Sequence, residues 1–200
     1  VQQINALRPD LILIGGDLVD HDITPLWEEH MQEELSELIA TYGIYMVPGN
    51  HDYYSGIANV ERFLGETPIV LLRDSVVTLP NGVQLVGRDD RHNTRRKPLA
   101  ELTASLATDR PILLIDHQPY DLAKTTEAGV DLQFSGHTHR GQVWPVSLLV
   151  DRLFELSYGS KEIGQSLIYV SSGLSLWGPP FRIGTDSEIV VFNLTFQPVS

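Results

Sequence analysis

Cysteine is absent from this chain of 200 residues. Disulfides and thiolate metal sites are thereby excluded, and any metal must be held by nitrogen and oxygen donors. Basic residues are scarce: 14 Lys and Arg stand against 26 Asp and Glu, for a formal charge of −12. Such a surface is a poor match for a nucleic-acid backbone gripped by bulk charge, although a bound cation can reverse the sign locally. No apolar run approaches the ~20 residues that a membrane-spanning helix needs, and no segment has the pattern of a signal peptide. Internal repeats, low-complexity tracts and Ser/Gly linkers are missing too. With 42% hydrophobic residues the chain is expected to form a single domain, 1–200, around a substantial core.

What the chain does contain is a series of short apolar runs, each broken by polar residues. Gln2 to Leu7 reads as the tail of a helix, ended by Arg8-Pro9-Asp10; a chain that opens inside an element and without Met is expected to be a fragment. Leu11 to Ile14 and Ile44 to Val47 have the character of strands buried on both faces. Between them, Trp27, Met31, Leu35, Leu38, Ile39 and Tyr42 recur at helical spacing. With early glutamates and Gly43 as the stop, they predict one helix over Trp27 to Tyr42. Strand, helix and strand make a βαβ unit whose strand ends share one edge of a parallel sheet. A helix is expected around Ile57 to Leu64 and a strand at Ile69 to Leu72. Ser75 to Leu79 and Val83 to Val86 flank Asn81-Gly82 as a hairpin. Further on come a short helix at Leu99 to Thr108, strands at Ile112 to Ile115 and Val130 to Phe134, an apolar segment from Val146 to Leu156, and strands at Leu167 to Ser171 and Glu188 to Leu194.

Four of these strands run into loops whose first polar residues are Asp17, Asn50-His51-Asp52, Asp116-His117, and His137 with His139. In α/β sheets ligands gather at the carboxyl ends of strands, so groups scattered along the sequence are expected to converge. In Ser135-Gly136-His137-Thr138-His139, Gly136 lets the backbone turn so that both imidazoles can aim beyond the strand end. Any one such histidine has a plain structural explanation; four loops behaving alike point to a metal site. His21, His30 and His92 have no such companions and are expected to be solvated.

Gly16-Asp17-Leu18-Val19-Asp20, Gly49-Asn50-His51-Asp52, His117 and Gly136-His137-Thr138-His139 resemble, in order and spacing, the motif series of the calcineurin-like metallophosphoesterases. The tail, with Gly141-Gln142-Val143-Trp144-Pro145, Ser171-Ser172-Gly173-Leu174 and Phe181-Arg182-Ile183-Gly184, is similar to the bacterial YkuE-type subgroup, whose members are often attached to or exported across the membrane. The resemblance implies an α/β fold: a two-sheet sandwich of mixed strands flanked by helices, with a dinuclear centre of divalent ions, manganese, iron or zinc. It implies that Asp17 bridges the metals, that Asn50, His117 and His137 complete the second site, and that His139 ligates the first. His51 is implied as the catalytic histidine with Asp52 orienting its ring, while Asp20 is expected to stabilise its loop. The family's first block, Asp-x-His, would precede Gln2. The chain is therefore expected to be N-terminally truncated, with its first metal site weak or empty; the competing reading is a protein that has lost that site.

The expected reaction is two-metal hydrolysis of a phosphoester, with His51 protonating the departing oxygen. A lipid-linked or nucleotide-linked phosphodiester is favoured as substrate, and membrane association would come through a missing N-terminal segment. Arg88 and Arg91, in the chain's one basic cluster, are the candidate substrate contacts; the alternative is a solvated loop balanced by Asp89 and Asp90. Trp144, Leu148, Leu149, Val150, Leu153, Phe154 and Trp177 are assigned to the core in preference to a lipid-facing surface. Two other functions stay open: a non-catalytic binding module on the same fold, and an amide hydrolase of the metallo-β-lactamase kind. The latter would need a His-x-His-x-Asp-His block, where this chain has His139-Arg140-Gly141.

Overall fold

Alternation along the short strands decides how the layers stack, as seen in the computed structural model, which describes residues 1–195. Strands β1 (Ile12–Ile14), β2 (Ile44–Met46) and β3 (Ile69–Leu71) lie parallel in that order. Ile12, Ile44, Met46 and Ile69 pack on one side with Val60 and Phe63 of α5 (Ile57–Leu64). Partly buried Ile4 of α1 (Gln2–Ala6), Trp27 of α2 (Thr24–Glu28) and Leu35 of α3 (Met31–Ser36) join them there. Leu11, Leu13, Tyr45 and Val47, offset by one residue, belong instead to the core shared with Leu85, Leu113, Ile115 and Leu132 of a second sheet.

That second sheet holds β4 (Ser75–Thr78), β5 (Gln84–Gly87), β6 (Ile112–Ile115), β7 (Leu132–Ser135), β9 (Ser166–Val170) and β8 (Gly159–Ile163), in that spatial order. Its four inner strands are parallel and its two edge strands antiparallel. Val86, Ile112 and Leu114 turn outward to Leu99 and Leu102 of α6 (Leu99–Thr103). The layers are thus helix, sheet, sheet, helix, the two-sheet sandwich that the motifs imply. The β4–β5 hairpin closes as expected through Gly82 at φ 89°, with the Leu79 N–H donating to Val83 O at 2.8 Å. Between β6 and β7 the chain crosses over through α7 (Ala123–Glu127).

Three expectations need correction. The single helix over Trp27 to Tyr42 is two, broken where His30 takes φ 53°. Its last turns are not helical because Asn5 of α1 donates to Glu37 O and accepts from the Ile39 N–H, using groups that a continuing helix would pair internally. Glu188 to Leu194 forms no strand: β8 already occupies the free edge of β9, so the segment docks through its side chains and one backbone bond, the Glu188 N–H donating to Gly173 O at 3.2 Å. Phe192 stacks edge-on to Phe134 and Tyr169, and Glu188 binds Ser171 and Ser172. Finally, the apolar segment assigned to the core is mostly exposed. It forms α8 (Val146–Leu153), with Leu148 57%, Leu149 60% and Leu153 72% in solvent, and Trp144 and Trp177 are exposed as well.

Leu114 is 1% exposed between β6 and α6. Leu114→Ala is expected to lower unfolding free energy by ~2–5 kcal/mol in urea titrations followed by circular dichroism. The same change at Leu153 should cost less than ~0.5 kcal/mol.

Candidate metal centre

The loops that follow β1, β2, β6 and β7 bring Asp17, Asn50, His117 and His137 to one point. His117 Nε2 lies 3.0 Å from Asp17 Oδ2 and 3.2 Å from Asn50 Oδ1. His137 Nδ1 lies 2.7 Å from Asn50 Oδ1 and 3.3 Å from His117 Nε2. The loops reach this arrangement through unusual backbone. Asp17, His137 and His139 sit at φ 56°, 71° and 48°, left-handed values that cost of order 1–3 kcal/mol each outside glycine and are found at functional sites. Two glycines make the close approach possible. A Cβ on Gly16 would stand 2.7 Å from His117 Nδ1, and one on Gly49 only 2.1 Å from Asp17 Oδ1.

Hydrogen bonds behind these groups fix their aim. His117 Nδ1 is 2.6 Å from Gly15 O, so it carries the proton and Nε2 faces the cluster, the arrangement by which a backbone carbonyl orients a ligating imidazole. Asp17 Oδ1 accepts the His51 N–H at 2.8 Å, leaving Oδ2 to the cluster. Burial works against ionisation of Asp17, but the His117 ring and the His51 N–H outweigh it and hold the carboxyl below its usual value. His117 is buried too, and its contacts with Asp17 and Gly15 O raise its pKa nonetheless. For His137, burial and the neighbouring His117 lower the value to about 4; for His139, burial and Arg182 do the same, again to about 4. Both rings are therefore neutral, the form that binds metal.

A divalent cation fits this donor set. Tetrahedral bonds of ~2.0–2.1 Å place donor atoms ~3.3–3.4 Å apart, close to the spacings found here. Among the described residues Asp17, His117 and His137 are one of two groups of acidic and imidazole side chains close enough to share an ion. His139 stands outside that group, and its Nδ1 is buried with no hydrogen-bond partner.

The other group is Asp20, His21 and His51. His51 is 9% exposed, and its Nδ1 lies 2.6 Å from Asp20 Oδ1, so Nε2 is the free nitrogen. The expectation that Asp52 orients this ring is thereby corrected. Asp52, on the short helix α4 (Asn50–Tyr54), has no exposed surface and accepts instead from the N–H groups of Asp17 and Gly49 at 2.8 Å and of Val19 at 3.1 Å. Burial pushes its carboxyl up to about 6 against those three donors. In the sequence Asp52 adjoins His51 whereas Asp20 lies 31 residues before it, so no sequence signal singled out Asp20 as the partner of this ring.

His21 and His92, expected to be solvated, also have partners. His21 Nδ1 is 2.7 Å from Asp20 and its ring 5.2 Å from that of His51; His92 is held by buried Asp90 and lies 5.0 Å from Tyr54. Tyr54 and Trp177 flank His51 at ring distances of 5.2 and 6.3 Å, and Phe154 flanks His137 at 5.8 Å. Arg88 is not available to a substrate: its guanidinium donates to Asp116 at 2.9 Å and to Lys97 O at 3.0 Å. Arg96 also binds Asp116. Arg91 lies over the Tyr120 ring at 4.7 Å, beside Asp121; Tyr120 in turn touches Phe154, so Arg91 stands on the rim of the site.

The lowered pKa of His139 has a sign that can be checked. Unfolded, the ring takes a proton near 6.5; folded, only near 4. Between those values the unfolded state binds more protons, so this group's contribution falls as pH falls through the window. In metal-free solution the parent should lose, between pH 7 and pH 4, on the order of 2 kcal/mol relative to His139→Gln, measured by urea denaturation at each pH.

A family model for calcineurin-like phosphoesterases matches residues 1–141. An uncharacterized metallophosphoesterase of Helicobacter pylori (strain J99) is 37% identical over 97% of this chain and 53% of its own length. One from Campylobacter jejuni is 32% identical, with the same two coverages. The uncharacterized metallophosphoesterase YkuE of Bacillus subtilis is 31% identical over 96% of this chain and 70% of its own. The chain thus spans about half the length of the first two relatives. Asp17, Asn50, His117 and His137 all fall inside the matched stretch, and the chain belongs to the calcineurin-like phosphoesterases.

Proposed function

We propose that the chain is a metal-dependent phosphoester hydrolase with a preference for diesters. Two divalent ions, manganese, iron or zinc, would serve it: Asp17, Asn50, His117 and His137 hold one, and Asp17 and His139 contribute to the other. The observation that carries this reading is the meeting of four donor atoms from four loops within 3.3 Å of their neighbours. When bound, the ions supply Lewis-acid charge that lowers the pKa of water and polarises phosphoryl oxygens.

The protein's own groups do the rest. Asp20 holds His51 through Nδ1 at 2.6 Å, which presents Nε2 to the leaving oxygen. As a water oxygen bonds to phosphorus and the ester P–O bond breaks, His51 passes its Nε2 proton to the departing alkoxide and is restored by the proton that the water gives up. Asp17 and the two neutral histidines keep the donors fixed and unprotonated. The diester preference is supported by apolar surface on both sides of the cluster, Tyr54 and Trp177 by His51 and Phe154 by His137, where two ester substituents can lie. A phosphate bearing a lipid or a nucleoside would suit such walls.

His51→Ala is expected to lower turnover of an aryl phosphodiester by ~10²–10⁴-fold with Mn²⁺ affinity unchanged in calorimetry, whereas His137→Ala should abolish both. A parent chain that binds neither Mn²⁺ nor Zn²⁺ and hydrolyses neither aryl monoester nor diester would overturn the assignment.

A further inference from the structure

Large apolar side chains left mostly in solvent are not spread evenly over this protein. Of the 17 found among the described residues, ten lie between Trp144 and Ile183, including Leu148, Leu149 and Leu153 of α8 and Trp177 and Phe181 beyond β9. Exposed apolar groups collected in this way mark an interaction surface. They also belong to one piece of structure. Gln142, 1% exposed, donates from Nε2 to Trp177 O at 2.5 Å and Pro179 O at 3.0 Å, and accepts the Trp177 N–H at 2.7 Å. The Trp144 N–H donates to Ile183 O at 2.8 Å. The segment that leads into α8 is therefore tied to the one that carries Trp177.

We infer that this face, α8 together with residues 176–183, seats on the surface of a lipid bilayer and turns the mouth of the metal centre toward the headgroups. Charge selects that occupant. From Arg140 to Ile183 four cationic residues (Arg140, Arg152, Lys161, Arg182) meet three carboxylates (Asp151, Glu155, Glu162), whereas the rest of the chain carries ten and 23. A bilayer with anionic headgroups repels the remainder, which carries a net −13 overall, and does not repel this stretch, which carries a net +1. Composition agrees: two of the three tryptophans, at 144 and 177, lie here beside leucines and arginines, the mixture that settles at an apolar–water boundary. No described helix is long and apolar enough to cross a membrane, so the contact is with the surface. Position agrees as well, because Trp177 flanks His51 and Phe154 flanks His137. The consequence that a substrate is presented from the membrane rests on the phosphoester reading; the docking face itself does not.

The test is flotation of the 200-residue chain with vesicles of phosphatidylcholine and phosphatidylglycerol, alongside the double variant Leu148→Glu, Leu149→Glu. The parent should float with the lipid and its tryptophan emission should shift to the blue. The variant should partition at least ~10-fold more weakly while keeping its far-ultraviolet dichroism and its Mn²⁺ isotherm. If the double variant fails to fold, Leu153→Glu alone serves, with a smaller loss in the same direction. A parent that stays in the soluble fraction, or a variant that floats as well as the parent, would overturn the inference. So would a dimer in sedimentation velocity that the same substitution dissolves without any vesicle binding, since the face would then belong to a second copy of the chain. Vesicle binding without Mn²⁺ binding would support the docking face and count against the hydrolase.

Discussion

Asp52 lies beneath the β1 and β2 loops with no surface in solvent, and most of the other positions in the site follow from the three backbone N–H groups it accepts. A buried carboxylate is costly unless such donors surround it. Once they do, the loop after β1 and the loop after β2 are held a hydrogen bond apart. Asp17 and Gly49 are then neighbours by necessity. The carboxylate of Asp17 fills the space that any side chain at 49 would need, and its Oδ1 closes the arrangement by accepting the His51 N–H. His117 and His137 arrive from the second sheet, so the cluster also ties the two sheets together at their carboxyl edges.

Much of this was legible in the sequence because strong periodic signals and special residues coincide. The apolar runs ending at Ile14, Val47 and Ile115 could only be strands of a largely buried sheet, and Asn81-Gly82 could hardly be anything but a hairpin turn. The metal-facing groups showed themselves as the first polar residues after such runs. The exchange of roles between Asp20 and Asp52 was not legible, since Asp52 adjoins His51 in the chain while Asp20 lies 31 residues away, and only side-chain direction reveals which of them meets the ring. The end of α3 at Ser36 was equally hidden: Asn5, more than 30 residues away from Glu37 and Ile39, takes the hydrogen bonds that would have continued the helix. Composition also could not tell α8 from a core helix, because leucine and valine spell both. What distinguishes them is whether another layer lies on top, and a sequence does not state that.

Charge in this molecule is arranged by depth as much as by sign. The acidic surplus lies largely on the outside, while the buried carboxylates and the partly buried Asp17 have partners: Asp17 has His117, Asp52 has backbone N–H groups, Asp89 has Arg73 and Tyr53, Asp116 has Arg88 and Arg96, and Asp90 has His92 and Gln118. The basic cluster on the loop from 88 to 97 is thus partly consumed in structural ion pairs, leaving Arg91 as its member on the rim of the site. A site so provided with inward-facing lone pairs attracts cations despite histidines that are themselves uncharged.

Gln142 gives the molecule a mechanical property as well as a structural one. Its side chain clasps the backbone on either side of Trp177, and its own backbone accepts from Ile183 and Thr185. The strip of chain that leads into α8 and the tryptophan beside His51 are therefore anchored through one side chain. The aromatic wall of the cation pocket takes its position from a residue that belongs to the outer segment.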